Sequence, residues 1–187
     1  KEDRLLRPEN FEEGSPGKGY GIYLTKGKKF KVAVINWMGN VFMRKTEDVF
    51  IAAEKLQKKI KLKEEADFIV VDFHGEITSE KMAIGHYFDG KATMVVGTHT
   101  HVPTADSRIL NNGTAFQTDI GMCGDYDSVI GMDKKNSIMK FLKDKGAKNH
   151  FPALGDATLS GLIVEADENT GLAIKTERFI EGGVFKI

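Results

Sequence analysis

The sequence predicts an α/β layered domain, and two observations carry that prediction. Three short, largely apolar runs read as strands buried in a sheet: Phe30 to Trp37 (FKVAVINW), Phe68 to Phe73 (FIVVDF) and Ala92 to Val96 (ATMVV). The segments between them carry helical spacing, so strand, helix, strand, helix and strand alternate along the chain. At 187 residues and 41% hydrophobic content, residues 1–187 suit one domain with a sizeable core.

Taken in order, residues 8 to 19 (PENFEEGSPGKG) are dense in turn formers and read as a loop. Tyr20 to Thr25 reads as a strand, Lys26-Gly27-Lys28 as a tight turn, and Phe30 to Trp37 as the returning strand of a hairpin. From Thr46 the pattern becomes helical: Val49, Ala52, Ala53, Leu56, Ile60 and Leu62 recur near a helical period, with Lys and Glu between them. Thr46 is the expected N-cap, with Glu47 and Asp48 in the first turn, where the helix dipole favours acids. Phe68 to Phe73 then leads into His74-Gly75, Ser79 to Phe88 forms a short helix closed by Gly90, and Ala92 to Val96 leads into Gly97-Thr98-His99-Thr100-His101.

The remainder predicts two hairpins and one helix. Asn111-Asn112-Gly113 is a turn signal between Ser107–Leu110 and Thr114–Thr118. Asp133 caps a helix running to Lys143, residues 145 to 156 form a loop, and Thr158–Ala166 pairs with Leu172–Phe179 across Asp167 to Gly171.

Bulk properties exclude several classes. Lys plus Arg equals Asp plus Glu at 27 each, so net charge offers no electrostatic case for nucleic acid or a membrane surface. No apolar run approaches the ~20 residues of a membrane helix. The start, Lys1-Glu2-Asp3-Arg4, is neither a signal peptide nor an initiator methionine. One cysteine, Cys123, forbids an internal disulfide and fits a reducing compartment, which makes the cytoplasm the expected location.

The chemistry concentrates at two strand ends. Sites in open α/β sheets gather outside the carboxyl ends of the strands, and His74, His99 and His101 lie there. His99 and His101 are one residue apart, so in extended chain both imidazoles project to one side as a compact two-nitrogen metal site, to which His74 adds a third nitrogen. Neutral imidazole suits Zn, Fe, Mn and similar ions, and Asp72 is placed to orient a ring. Glu76, Asp106, Asp119, Asp125 and Asp127 lie near these turns as ligands, supporting groups or turn caps, unranked by sequence. His86 reads as a helix residue and His150 as loop surface. Cys123 reads as a small buried residue without a pairing histidine. Ser15 and Ser160 lack a nucleophile-elbow context, no phosphate-binding glycine motif exists, and Lys55 to Lys63 reads as the solvated face of its helix.

The runs DFHGEITSEKMAIGHYFDGKA and VVGTHTHVPTADSRIL, with RPENF, EGSPGKG, AVIN, GTAFQTDIGMCG, GMD and TLSG, are similar to the calcineurin-like metallophosphoesterases. The nearer resemblance is to their YmdB-like branch of 2',3'-cyclic-nucleotide 2'-phosphodiesterases, almost end to end. It implies a layered β-sandwich flanked by helices, a small-molecule cyclic nucleotide or other phosphodiester as substrate, and two divalent metal ions, Fe or Mn before Zn. His74 and His99 would serve one ion and His101 its neighbour. The family's other ligands are an aspartate, a Glu of Gly-Glu-Asn and an Asn of Gly-Asn-His, the last motif also supplying the general-acid histidine. None of these motifs occurs here; Asn10, Asn36 and Asn40 lie outside any such pattern. The resemblance therefore implies the C-terminal two-thirds of the domain, N-terminally incomplete, with an exposed strand edge. It also implies hydrolysis by a metal-activated hydroxide in the complete enzyme, with one weakly held metal and little turnover in this chain alone. The alternatives are a non-catalytic remnant or interaction module of the same fold and a phosphatase or nuclease; the partner state left open is a homo-oligomer.

Overall fold

A computed structural model describes residues 2–185; Lys1, where the reading of the N-terminal residues begins, lies outside them. The fold is mixed α/β. Strands β1 (Tyr20–Leu24) and β2 (Lys31–Met38) form the expected antiparallel hairpin. Helix α1 (Val49–Gln57), β3 (Phe68–His74), α2 (Thr78–Tyr87) and β4 (Met94–Thr98) follow, and β2, β3 and β4 run parallel. The short pair β5 (Arg108–Ile109) and β6 (Ala115–Gln117) completes a six-stranded sheet in the order β1-β2-β3-β4-β6-β5.

Alternation along the strands sorts residues onto two faces. Ala33, Ile35 and Trp37 of β2 pair with Ile69, Val71 and Phe73 of β3, and Val71 pairs with Val95 of β4. These residues form the core with Val49, Ala52, Ala53 and Leu56 of α1 and Ile84 of α2. Burying each large side chain contributes about 1.5–3 kcal/mol, so this helix-covered face dominates stability. Asn36, Asp72, His74 and Thr98 sit in the alternate positions, on the less covered face at the carboxyl ends.

Asp48, not Thr46, caps α1: its carboxylate accepts from the N–H groups of Phe50 and Ile51. Thr46 is engaged elsewhere, its hydroxyl accepting from the side-chain amides of Asn10 and Asn40. The helix also ends sooner than its apolar spacing suggests. Ile60 is buried from the following turn, and Leu62 packs against the core from beyond the helix. Buried Asn10 braces the end of β2, donating to the Met38 carbonyl and accepting from its N–H at 2.8 and 3.0 Å.

The C-terminal part holds α3 (Lys134–Phe141), capped by Asp133 as expected, and a second sheet. There β8 (Ala157–Ala166) and β9 (Ala173–Gly182) form the third expected hairpin, with a bulge at Glu165/Ala166. Nothing in the sequence announces β7 (Gly124–Asp125), which joins β8 to make the order β7-β8-β9. Residues 145 to 156 form a loop, as expected. No helix among the described residues is long and apolar enough to cross a membrane.

Candidate metal centre

His74 is the last residue of β3 and lies beside Thr98, its register partner on β4. The Asn36 side-chain amide donates to Asp72 Oδ2 at 2.7 Å, and the Thr98 hydroxyl donates to Asp72 Oδ1 at 2.9 Å. With its hydrogen committed to the carboxylate, the Thr98 oxygen accepts from His74 Nδ1–H at 3.0 Å. Three strands thus fix the His74 tautomer, leaving the Nε2 lone pair to face His99. The Asp72 carboxylate orients the ring through Thr98 rather than by touching it.

His74 Nε2 lies 3.1 Å from His99 Nδ1, with the two rings 4.8 Å apart and nearly perpendicular. His99 Nε2 in turn faces the Glu76 carboxylate at 3.0 Å. Burial, reinforced by the positive charge that a protonated His99 would carry, holds His74 below the usual histidine range, so its ring is neutral at neutral pH.

His101 is placed differently. Its Nδ1–H donates to the carbonyl of Ile130 at 2.7 Å, Nε2 has no partner among the described residues, and neither a hydrogen bond nor a ring contact joins it to His74 or His99. Both histidines of this turn have left-handed backbone, with φ of 104° at His99 and 67° at His101. The extended geometry expected from the His-x-His spacing is therefore not what the turn adopts. Between them Thr100 donates its N–H and hydroxyl to Asp119 Oδ2, at 3.0 and 2.8 Å. Gly97 opens the turn where a Cβ would sit 1.7 Å from the Thr118 carbonyl, so no larger residue fits.

Among the described residues, no group of three or more His, Cys, Asp or Glu side chains is gathered closely enough to hold a metal ion. The converging pair is His74 with His99, and Glu76 extends it. Asp106 accepts from the hydroxyls of Thr104 and Thr118, Asp125 from the N–H groups of Asp127 and Gly155, and Asp127 pairs with Lys134. These three cap turns and steady loops. His86 and His150 are exposed, as is the Lys55 to Lys63 surface at each of its lysines. Cys123 is exposed, not buried; it precedes the short β7, which covers little.

Sequence reasoning missed Thr98, Lys81 and Thr100. A signal for Lys81 existed: Ile77, Lys81, Ile84 and Phe88 share one helical face, which puts a charge where an apolar residue belongs. Its partner Asp119 was only one of five unranked carboxylates.

The model of the YmdB-like protein family matches residues 1–179. The 2',3'-cyclic-nucleotide 2'-phosphodiesterase of Bacillus subtilis (strain 168) is 45% identical over 181 residues, covering 94% of this chain and 65% of that protein. A putative phosphatase/phosphodiesterase of Mycoplasma pneumoniae is 40% identical over 179 residues, covering 92% of this chain and 62% of its own length. The chain thus spans less than two thirds of these curated relatives. Among solved structures, one titled a novel phosphatase from Mycoplasma pneumoniae matches with TM-score 0.85 and 36% identity, covering 97% of this chain and 64% of that one. A hypothetical protein from Thermus thermophilus matches with TM-score 0.81 and 36% identity, covering 95% of this chain and 67% of that one. With a family model matched across residues 1–179, the chain belongs to the YmdB-like protein family.

Proposed function

We propose that this chain is part of a metal-dependent phosphodiesterase of the calcineurin-like kind, acting on small cyclic nucleotides of the 2',3' type, with His74, His99 and His101 as metal ligands. The observation that carries the reading is the 3.1 Å separation of His74 Nε2 and His99 Nδ1. Two imidazole nitrogens bound about 2.0–2.1 Å from one ion at roughly a right angle lie about 3 Å apart. Each of the three rings also has one nitrogen against an oxygen, namely Thr98, Glu76 or the Ile130 carbonyl, and the other left for a cation. That division is the usual one for metal-binding histidine. The activity for which the Bacillus relative is named supports the substrate class.

The residues present fit an ion incompletely. His74 and His99 would hold one and His101 its neighbour, whereas no aspartate or glutamate among the described residues stands between them as a bridge. When bound, two divalent ions, Fe or Mn before Zn, neutralise phosphate oxygens and supply a nucleophile at neutral pH. The chain's own part is to keep His74 neutral and correctly turned through Asn36, Asp72 and Thr98, and to hold His99 by Glu76. The general-acid histidine that the resemblance implies belongs to a Gly-Asn-His motif, which the sequence lacks. The chain by itself therefore turns over little or nothing.

The test is metal analysis together with hydrolysis of 2',3'-cyclic AMP, on this chain and on an N-terminally extended one carrying Gly-Asn-His. The extended protein should hydrolyse it only when metal-loaded, and His99→Ala in it should lower kcat/KM by at least ~100-fold. Full activity of the 187-residue chain, or an extended protein indifferent to metal and to His99→Ala, overturns the reading.

A further inference from the structure

The Lys81–Asp119 ion pair has both side chains essentially without solvent exposure, at 0% and 1%, with Nζ 2.7 Å from Oδ2. Taking two charges out of water is costly, and a well-packed apolar pair is often as stable, so stability alone is a poor reason for this pair. What Asp119 touches suggests a better one. Its Oδ2 accepts from Lys81, from the Thr100 N–H and from the Thr100 hydroxyl, while Oδ1 accepts from the Gly121 N–H at 2.9 Å. Its carbonyl accepts from the Thr104 N–H, and the Ile120 N–H donates to the Gly97 carbonyl, both at 2.9 Å. The segment after β6 therefore lies along the whole 97–104 turn.

That turn is strained. A left-handed φ in a residue with a side chain is uncommon, and such conformations persist only where the surroundings over-determine them. Here they occur at His99 and His101, on either side of Thr100. Gly97 leaves room for the Lys81 stem, whose Cδ lies 3.0 Å from where a Cβ would be.

We infer that the Lys81–Asp119 pair positions the two histidines of the turn: Lys81 holds the carboxylate, the carboxylate grips Thr100, and Thr100 fixes the backbone that aims His99 and His101. Neither Asp119 nor Thr100 binds metal in this arrangement; both are positioning residues. The inference rests on the reading of those histidines as ligands, but its first consequence, a rigid turn, can be measured without metal.

Two readouts test it on the 187-residue chain, in wild type, Thr100→Val, Thr100→Ser and Asp119→Asn. Amide exchange followed by NMR should quicken at least ~10-fold at residues 99–101 in Thr100→Val and Asp119→Asn, with β2 and β3 unchanged. Co2+ titration followed by visible absorption should show affinity ~10–100-fold weaker in the same two variants. Thr100→Ser keeps the hydroxyl and should behave as wild type in both. Exchange unchanged in Thr100→Val overturns the inference whatever Asp119→Asn does to folding. Wild type and Thr100→Val binding Co2+ equally well also overturns it, while leaving the metal centre standing. If neither the wild-type chain nor the N-terminally extended one takes Co2+, the metal centre is overturned and, with it, this proposal.

Discussion

The two histidine turns sit at the ends of adjacent parallel strands, yet they are held by different means. His74 belongs to the sheet: it continues the β3 pleat, and its ring is set by side chains from β2, β3 and β4 in register. His99 and His101 lie past the end of β4, where ladder hydrogen bonds no longer constrain the chain, and their left-handed backbone depends on a buried ion pair. A side chain on a strand inherits its geometry from neighbours that must be there anyway. A side chain beyond the strand needs a dedicated support, and here that support is charged and dry. The first turn should accordingly tolerate the loss of one supporting group better than the second.

The largest expected effect tests the second turn. Asp119→Ala leaves Lys81 as an uncompensated buried charge and should cost about 3–5 kcal/mol of unfolding free energy in urea denaturation. Replacing both residues by apolar ones should recover most of that loss without restoring the order of the turn. A double variant as unstable as Asp119→Ala would mean that the pair does contribute mainly to stability.

A smaller effect is expected at the first turn. Thr98→Val removes the hydroxyl between His74 and Asp72 but leaves Asn36 on the carboxylate, so the stability cost should be about 1 kcal/mol. The His74 ring should then lose its single tautomer, which 15N NMR of the imidazole reads directly. A ring still protonated only at Nδ1 would show that Thr98 does not set it.

The smallest effect concerns acid stability, away from both histidines. Burial works to raise the Asp106 pKa, but the hydroxyls of Thr104 and Thr118 and the Thr118 N–H outweigh it, so the group falls below its ordinary 3.8. The unfolded chain takes up this proton first, hence the contribution is present above about pH 3.8 and is lost as pH falls through the lower, folded value. Asp106→Asn should flatten the acid limb of the stability curve in that window and leave its slope unchanged near neutrality. An unaltered acid limb would discount the threonine contacts.

Much of the fold was legible because burial writes a pattern into the chain. The β-branched runs FKVAVINW and FIVVDF could only satisfy both backbone and side chains in a covered sheet, and Asn111-Asn112-Gly113 and Asp167 to Gly171 announced their hairpins. The Thr46 cap failed because several polar residues precede α1, and which one caps depends on what else claims the others; Asn10 and Asn40 claim Thr46. The short β7 failed because its pairing is supplied by β8, far along the chain.

For the site, the sequence by itself determined that three imidazoles, side chains of a kind able to ligate a metal, stand at strand ends. Only the tertiary structure decided that His74 and His99 face each other while His101 turns to the Ile130 carbonyl, that Asp72 reaches His74 through Thr98, and that Lys81 belongs to Asp119. The reason is physical: chemical type and strand position are local properties, written residue by residue. The aim of a ring depends on hydrogen-bond partners brought together from β2, β3, β4, α2 and the segment after β6, and no local pattern encodes such a meeting.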